Sequence, residues 1–237
     1  MANIPEGLKG AFRRRPLDAN KRSVGTVSVV GGSGHYIHAP VIAGLGARAA
    51  GAGLVQLVVP DASRIAAGAL VPEATFTKLV ATCVPPKADV TVMGMGLGVT
   101  VTAEVIVSRL LSGSRGRFVL DADALAVLAS WYGRTDGYDP AKGQELVLTP
   151  HEGEAAKLLG WERARVSSDR RAAAQEIVDR YGATVVLKGD PFEAAAASVW
   201  LHGAASDALV AAGGDPSIVN TAARLGSLRV TLDQEQE

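Results

Sequence analysis

Seven short runs of mostly apolar residues recur along the chain, and many of their residues are β-branched. They are TVSVV (26–30), LVQLVV (54–59), ATFTKLV (74–80), DVTVM (89–93), RFVL (117–120), ELVL (145–148) and TVVL (184–187). Nearly continuous apolar runs are typical of strands that are covered on both faces, as in parallel sheets. The pattern therefore predicts seven buried strands.

Helical spacing of apolar residues fills most of the gaps between these runs. The segment 40–51 has Pro40 in its first turn, where a missing N–H costs little. In 102–113, Thr102 is the predicted N-cap and Gly113 the stop, and 167–182 has a serine cap. The alternation predicts an α/β fold with one open sheet and helices on both faces.

Composition narrows the class of protein. The 237 residues are 48% hydrophobic and 20% charged, as expected of a globular chain. Lys plus Arg and Asp plus Glu both total 24, so charge gives no reason to expect nucleic acid or an anionic membrane as a partner. The three arginines at 13–15 are better explained as a solvated lead-in than as a nucleic-acid arm.

Location is also constrained by the sequence. The lone cysteine, Cys83, cannot form an internal disulfide, which fits a reducing cytoplasm. The first 16 residues lack the apolar core of a signal peptide, and no apolar run reaches the length of a membrane span. We therefore expect a cytoplasmic protein.

Candidate chemistry follows the predicted strands, because ligands of open parallel sheets bind beyond the carboxyl ends of the strands. Five strand ends are rich in glycine or polar residues: GGSGHYIHAP (31–40), GMGLG (94–98), DAD (121–123), TPHEGE (149–154) and LKGD (187–190). The segment 31–40 is neither a Walker loop nor a GxGxxG fingerprint. Together the five predict a cleft for a large ligand that bears phosphate.

Individual residues in these motifs allow more than one interpretation. Asp121 and Asp123 fit the orientation of a hydroxyl or a hydrated metal ion, while Asp123 equally fits a helix cap. His151 fits a ligand contact or a structural role, and its spacing is not that of a HExxH zinc motif, so no metal ligands are assigned. Lys188 would be a compact charge for a phosphate.

The motifs occur in the order seen in the NAD(P)H-hydrate dehydratases, which this sequence resembles. The segments GAGLV, MGMGLG, DADAL, LTPHEGE and VVLKG carry the likeness, which runs from about Arg15 to Asp190 and resumes over 191–208. The resemblance implies a ribokinase-like three-layer α/β/α domain with a mostly parallel sheet. It would occupy residues 1–237, with 1–20 as a lead-in.

That resemblance also implies an activity. The family repairs hydrated NADH or NADPH: ADP or ATP with Mg²⁺ phosphorylates the added hydroxyl, and phosphate is then eliminated. The positions that would contact the hydrated dinucleotide are Ala39, Gly96, Gly98 and His151. The positions that would begin the nucleotide-phosphate site are Lys188, Gly189 and Asp190. Homo-oligomers are common in the family and are expected here.

Small departures from the family pattern concern the predicted ligand contacts. His38 stands where the family usually has glycine, Met95 where it has proline, and Ala126 where it commonly has asparagine. These changes are expected to tune the fit of the ligand.

A larger departure follows Lys188. In the family, LKG leads into a hairpin and a GxGD segment whose helix holds the transferred phosphate and whose aspartate acts as the base. This sequence contains no GxGD, and Asp190 runs directly into Pro191. Asp190 as N-cap, Pro191 at the first position and Glu193 three residues after the cap make an acceptable helix start.

Two explanations of this junction stay open, and so do three functions. Either the sequence omits an internal segment of an ordinary enzyme, or the deletion is real. The sequence fits a nucleotide-dependent NAD(P)H-hydrate dehydratase, a non-catalytic dinucleotide- or nucleotide-binding relative, or a small-molecule kinase of the superfamily. It assigns no catalytic base.

Overall fold

The computed structural model describes residues 20–189 except 22, 114 and 133–140. Within this part of the chain, Asp18–Lys188 forms one compact unit. The arginine run at 13–15, most of the loop predicted at 131–144, Asp190 and the segment 191–208 lie outside the described residues.

Seven parallel strands form the sheet at the centre of this unit. They are β1 (Thr26–Val30), β2 (Leu54–Val59), β3 (Thr75–Lys78), β4 (Val90–Met93), β5 (Arg117–Leu120), β6 (Glu145–Leu148) and β7 (Thr184–Val185). Every pairing is parallel, in the order β3-β2-β1-β4-β5-β6-β7. The predicted α/β class with a parallel sheet is confirmed.

Seven helices connect the strands. They are α1 (Ala39–Ala49), α2 (Asp61–Leu70), α3 (Val101–Leu111), α4 (Asp123–Trp131), α5 (Glu152–Leu159), α6 (Arg163–Ser168) and α7 (Arg170–Tyr181). None of these described helices has the length and apolar character needed to cross a membrane.

The strand order creates a crevice beside β1. From β1 the chain builds outwards through β2 to β3, then returns to place β4 against the other side of β1. The loops that leave β1 and β4 therefore run in opposite directions. Such a switch point is where open parallel sheets bind their ligands.

Two buried layers hold the sheet between its helices. Val29 and Leu57, neighbours in the β1–β2 register, pack with Val41 of α1 on one face. Met93 and Leu120, neighbours in the β4–β5 register, pack in the other layer together with Leu125 of α4. Neighbouring side chains in register share a face, so each face of the sheet has its own apolar core.

The structure corrects two predicted helix caps. The N-cap of α3 is Thr100, whose hydroxyl accepts a hydrogen bond from the Ala103 N–H at 3.2 Å, and Thr102 lies inside the helix. The predicted helix 167–182 is divided at Asp169, which ends α6 and caps α7 by accepting from Ala172 N–H. An aspartate carboxylate is at least as good an N-cap as a serine hydroxyl, so the break falls at Asp169.

Candidate functional site

All five polar strand ends lie at the carboxyl edge of the sheet, and backbone hydrogen bonds continue the pairing into them. Gly32 N–H donates to Met95 O at 2.9 Å, which joins the loops after β1 and β4. Lys188 N–H donates to Pro150 O at 2.8 Å, which joins the loops after β6 and β7. His151 and Lys188 are thus on the same edge, as the strand order predicted.

Glycines in the loop after β4 allow close contact with its neighbours. Gly94 has φ +122°, and a Cβ there would lie 1.8 Å from the carbonyl oxygen of Asp121. Gly96 has φ +70°, and a Cβ there would lie 2.5 Å from Tyr36 Cβ and 3.3 Å from Ala39 Cβ. L-residues with side chains rarely adopt such φ values. The predicted dinucleotide residues Ala39 and Gly96 are therefore direct neighbours.

Tyr36 is a site residue that the sequence reasoning missed. A Cβ on Gly96 would lie 3.3 Å from the first ring carbon of Tyr36, Cγ, and the residue is 61% exposed. An exposed aromatic side chain at a glycine-rich edge offers a flat apolar surface to a ring-bearing ligand. The signal was present, because Tyr36 is the only aromatic residue in the segment 31–40.

The DAD turn after β5 connects to the loops on both sides. Asp123 Oδ2 accepts a hydrogen bond from Gly98 N–H at 2.7 Å. Asp121 Oδ1 lies 2.7 Å from Lys188 Nζ. Asp123 begins α4 without capping it, so the helix-cap interpretation of this residue is wrong.

Backbone strain accompanies this turn. Ala122 has φ 49° and ψ −119°, and it is the only non-glycine among the described residues with positive φ. Asp121 O accepts from Ala124 N–H across it at 3.2 Å, which makes a tight turn from strand to helix. Residues in such sparsely populated regions cost about 1–3 kcal/mol and cluster at functional sites. The strained turn directs the two carboxylates to different neighbours.

His151 caps α5 in this structure. Its Nδ1 accepts from Gly153 N–H at 2.9 Å and Glu154 N–H at 3.3 Å, and Glu154 Oε2 accepts from His151 N–H at 2.8 Å. This reciprocal pair is a capping box. Because Nδ1 accepts, the proton of the neutral ring is on Nε2. The side chain is 48% exposed, and Nε2 lies 3.5 Å from Glu154 Oε1.

Lys188 places a cation at the carboxyl edge of the sheet, beside two carboxylates. Its Nζ is 2.7 Å from Asp121 Oδ1 and 3.8 Å from Glu154 Oε2, and the side chain is 41% exposed. Both carboxylates attract the ammonium group and hold it at the open edge. Gly189 follows at the end of the described chain, and Asp190 lies beyond it.

A buried carboxylate lies directly behind this edge, and sequence reasoning did not predict it. Glu152 is 7% exposed; its oxygens lie 2.7 Å from Arg170 Nη1 and 2.8 Å from Ser167 Oγ. The hydrogen bond from Ser167 lowers the pKa of Glu152 below its ordinary value of 4.5, burial opposes this, and Arg170 adds to the lowering. Glu152 is therefore held as an anion.

Among the residues that the structure describes, no group of three His, Cys, Asp or Glu side chains is placed to hold a metal ion. The carboxylates at the edge instead pair with Lys188 and with backbone N–H groups. An ion with oxygen ligands would find at most one or two protein carboxylates here.

The arrangement can be described as two adjoining half-sites. The first contains Ala39, Gly96 and Gly98 with Tyr36, and the second contains His151 and Lys188. The DAD turn lies between them and touches both, through Gly98 and Lys188. Such an edge can present backbone donors, a cation and an aromatic surface to one extended ligand or to two adjacent ones.

Comparison with known proteins points to one family. The family model of NAD(P)H-hydrate dehydratase matches residues 27–191. The bifunctional NAD(P)H-hydrate repair enzyme of Thermanaerovibrio acidaminovorans is 37% identical over 185 residues, which cover 72% of this chain and 35% of that enzyme. The chain thus matches about a third of that relative's length.

A second relative is closer in length. The ADP-dependent (S)-NAD(P)H-hydrate dehydratase of Neisseria meningitidis is 32% identical over 244 residues, which cover 84% of this chain and 81% of the relative. The alignment is longer than the part of this chain that it covers. The relative therefore contains residues that have no counterpart in this chain.

A solved structure shares the fold. The ADP/ATP-dependent NAD(P)H-hydrate dehydratase of Bacillus subtilis, co-crystallised with ATP and Mg²⁺, aligns with a TM-score of 0.70 at 21% identity and covers 98% of this chain and 99% of its own. The match over residues 27–191 and the 32% identity to the Neisseria relative lead to one conclusion. The chain belongs to the NAD(P)H-hydrate dehydratase family.

Proposed function

We propose that this chain binds hydrated NADH or NADPH beside ADP or ATP, and that it is an ADP/ATP-dependent NAD(P)H-hydrate dehydratase when a GxGD segment is present. The observation that carries the proposal is the DAD turn, which touches Gly98 on one side and Lys188 on the other. The predicted dinucleotide and phosphate residues are thereby parts of one continuous edge.

The proposed reaction has two steps. The hydroxyl oxygen of the hydrated nicotinamide ring attacks the terminal phosphorus of the nucleotide, the bond from this phosphorus to the bridging oxygen breaks, the shortened nucleotide leaves, and the hydroxyl proton passes to a base. The ring C–O bond of the resulting phosphate ester then breaks, phosphate leaves, and the adjacent ring carbon loses a proton, which restores the ring double bond. Both steps depend on placing the hydroxyl and the phosphate together and on stabilising negative charge.

Residues of this chain meet part of these needs. Tyr36, Ala39, Gly96 and Gly98 would bind the dinucleotide, and His151 Nε2–H would donate to it. Lys188 would exchange its partner Asp121 for the terminal phosphate, since its side chain is 41% exposed. Lys188 and Gly189, followed by Asp190, would form the start of the phosphate site.

Mg²⁺ fits this edge only as part of the nucleotide complex. Mg²⁺ in such enzymes is held through one or two carboxylates, water and the phosphates rather than by a complete protein cage. Once Lys188 turns to a phosphate, Asp121 is the carboxylate closest to the place it left. When bound, the ion would neutralise charge on the phosphates.

The described residues offer no evident base. Asp123 accepts from Gly98 N–H, Glu154 accepts from His151 N–H, and Asp121 pairs with Lys188. Loss of a general base costs about 10²–10⁴-fold in rate. Loss of preorganised donors for a developing charge costs about 10²–10³-fold more. We therefore propose that the 237-residue chain binds its ligands but is essentially inactive as a dehydratase.

The test compares the 237-residue chain with a longer variant that carries a GxGD segment after Asp190. Regeneration of NADPH from its hydrate is followed by absorbance with ADP or ATP and Mg²⁺. The variant with the GxGD segment is expected to regenerate NADPH, and the 237-residue chain is expected to show no activity. Robust turnover by the 237-residue chain would contradict the proposal and require a base at another position. The intact mass of the native protein decides whether the deletion is real.

A non-catalytic binding protein is the second candidate, favoured by the same missing segment. A kinase is less favoured, because it needs the same base and anion-binding helix.

Titration calorimetry of the 237-residue chain with NADPH tests the binding that both leading candidates share. Tyr36→Ala and His151→Asn are expected to weaken it, and asparagine keeps a capping acceptor on α5. No binding by the wild-type chain would remove the support for both.

We also propose that the protein is a cytoplasmic homo-oligomer with a single ribokinase-like domain over residues 1–237. Support for assembly comes from α1 and α2, where Ile42 and Ile65 are 67% and 77% exposed. Large apolar side chains on neighbouring helices are common at interfaces between copies of a chain.

A further inference from the structure

Arg170, the first residue of α7, is bonded to the backbone of the residue that carries the proposed phosphate-binding cation. One of its terminal nitrogens, Nη2, donates to Lys188 O at 2.6 Å and to Leu187 O at 3.1 Å. The other, Nη1, donates to Glu152 Oε1 at 2.7 Å. A planar guanidinium presents donors in a fixed fork, so these contacts define the position of the strand end closely.

Glu152 provides a firm anchor for this arginine. It is buried, it accepts from Ser167 Oγ at 2.8 Å, and Arg163 Nε lies 3.6 Å away. The charge of a buried carboxylate with these partners is compensated, and removing one partner would leave it poorly satisfied. Glu152 also directly follows His151, so the arginine connects the loop after β6 to the loop after β7.

The strand end has few other attachments in the described part of the chain. Pairing of β7 with β6 covers only Thr184 and Val185. Beyond it, Val186 N–H and Lys188 N–H donate to Leu148 O and Pro150 O, both at 2.8 Å. Arg170 binds the carbonyl groups of the same segment, so both its N–H and its C=O groups are hydrogen-bonded.

We propose that Arg170, anchored by Glu152, is a positioning residue that sets Lys188 for the phosphate of a nucleoside di- or triphosphate without touching the ligand. The inference rests on the proposed function, because it assigns the nucleotide phosphate to Lys188. It goes further in giving a role to Arg170, which lies outside the motifs, and to Glu152, which lies in the TPHEGE segment without an assigned role. It also predicts that loss of Arg170 affects binding of the nucleotide and not of the dinucleotide, since the contacts of Tyr36, Ala39 and Gly96 do not involve Arg170.

The experiment measures ADP and NADPH binding by titration calorimetry on the full chain. Variants are Arg170→Met, Arg170→Lys and the control Arg171→Met, which removes the exposed neighbouring arginine. Loss of charge-assisted hydrogen bonds predicts that R170M weakens ADP binding about 10-fold. NADPH binding should be unchanged in R170M, and R171M should change neither. R170K should recover part of the loss, because an ammonium keeps the charge beside Glu152 but lacks the fork.

Three outcomes separate the possible failures. If R170M binds ADP like the wild-type chain, the inference is overturned. If R170M loses both ligands together, Arg170 supports the fold generally and the positioning role is also overturned. If the wild-type chain binds no ADP, the proposed function fails, and amide hydrogen exchange at Val186 and Lys188 then decides the positioning. Faster exchange in R170M than in R171M supports positioning, and equal exchange overturns it.

Discussion

Gly94 is the residue at which a single methyl group is expected to do the most harm. An alanine Cβ there would lie 1.8 Å from Asp121 O and 2.7 Å from Ala124 Cβ, and φ is +122°. We expect Gly94→Ala to lower the free energy of unfolding by roughly 3 kcal/mol, from overpacking and backbone strain together. Urea unfolding measures this. Gly34→Ala is the control, since nothing lies within 4 Å of its added Cβ.

The lowered pKa of Glu152 predicts how the free energy of unfolding depends on pH. Its pKa is lowered in the folded protein, first by the hydrogen bond from Ser167 and also by Arg170. The unfolded chain therefore binds this proton more readily, and the stabilisation is complete above the ordinary value of 4.5. It is lost as pH falls through the lower folded pKa.

The matching measurement is urea unfolding from pH 7 down to pH 3. The wild-type chain should lose stability more steeply below about pH 4.5 than Glu152→Gln, which removes the titrating group. Glu162→Gln alters an exposed glutamate nearby and should retain the wild-type slope. Parallel slopes for E152Q and the wild-type chain would show that the folded pKa is not lowered.

At the residue scale, the sequence indicates positions but not partners. Strand ends are visible as the points where apolar runs stop, so His151 and Lys188 could be placed on one edge. The pairing of Glu152 with Arg170 could not be predicted, because it joins residues 18 apart through burial. The contact of Asp123 with Gly98 was missed for a different reason, because a carboxylate at a helix start is ordinarily a cap.

Among the elements, α7 depends on its first residues. Asp169 accepts from Ala172 N–H at 2.9 Å, and the preceding Ser168 hydroxyl is turned back to Arg165 O. We expect Asp169→Ala to cost about 1 kcal/mol and Asp169→Asn much less, since asparagine also caps well. Ser168→Ala should cost little. Thermal unfolding compares the stability of the three variants. If S168A destabilises the protein as much as D169A, the serine cap that the sequence predicted would be supported instead.

The same helix shows which elements a sequence can define. All seven predicted strands are present, because short apolar runs between turn residues have few alternatives in a parallel sheet. The division between α6 and α7 was missed because Ser167, Ser168 and Asp169 are all capping residues. Only the φ and ψ of Asp169, −143° and 78°, identify where the helix breaks.

The molecule as a whole is expected to assemble. If α1 and α2 form the interface, Ile42→Glu or Ile65→Glu should shift the mass in light scattering at micromolar concentration towards a monomer. Val84→Glu is the control, since Val84 is 81% exposed on a separate loop. A monomeric wild-type chain would contradict the proposed oligomer, and a shift by V84E alone would place the interface elsewhere.

Strand β7 is last in the strand order, and β6 is its only partner among the described residues. Every strand pair that the structure describes is therefore complete before residue 186 has been synthesised. A gain or loss of chain after Gly189 leaves all of these pairs unchanged. We therefore expect that a gene of this kind can lose or regain a segment at that point in one step without interrupting any of the described strand pairs.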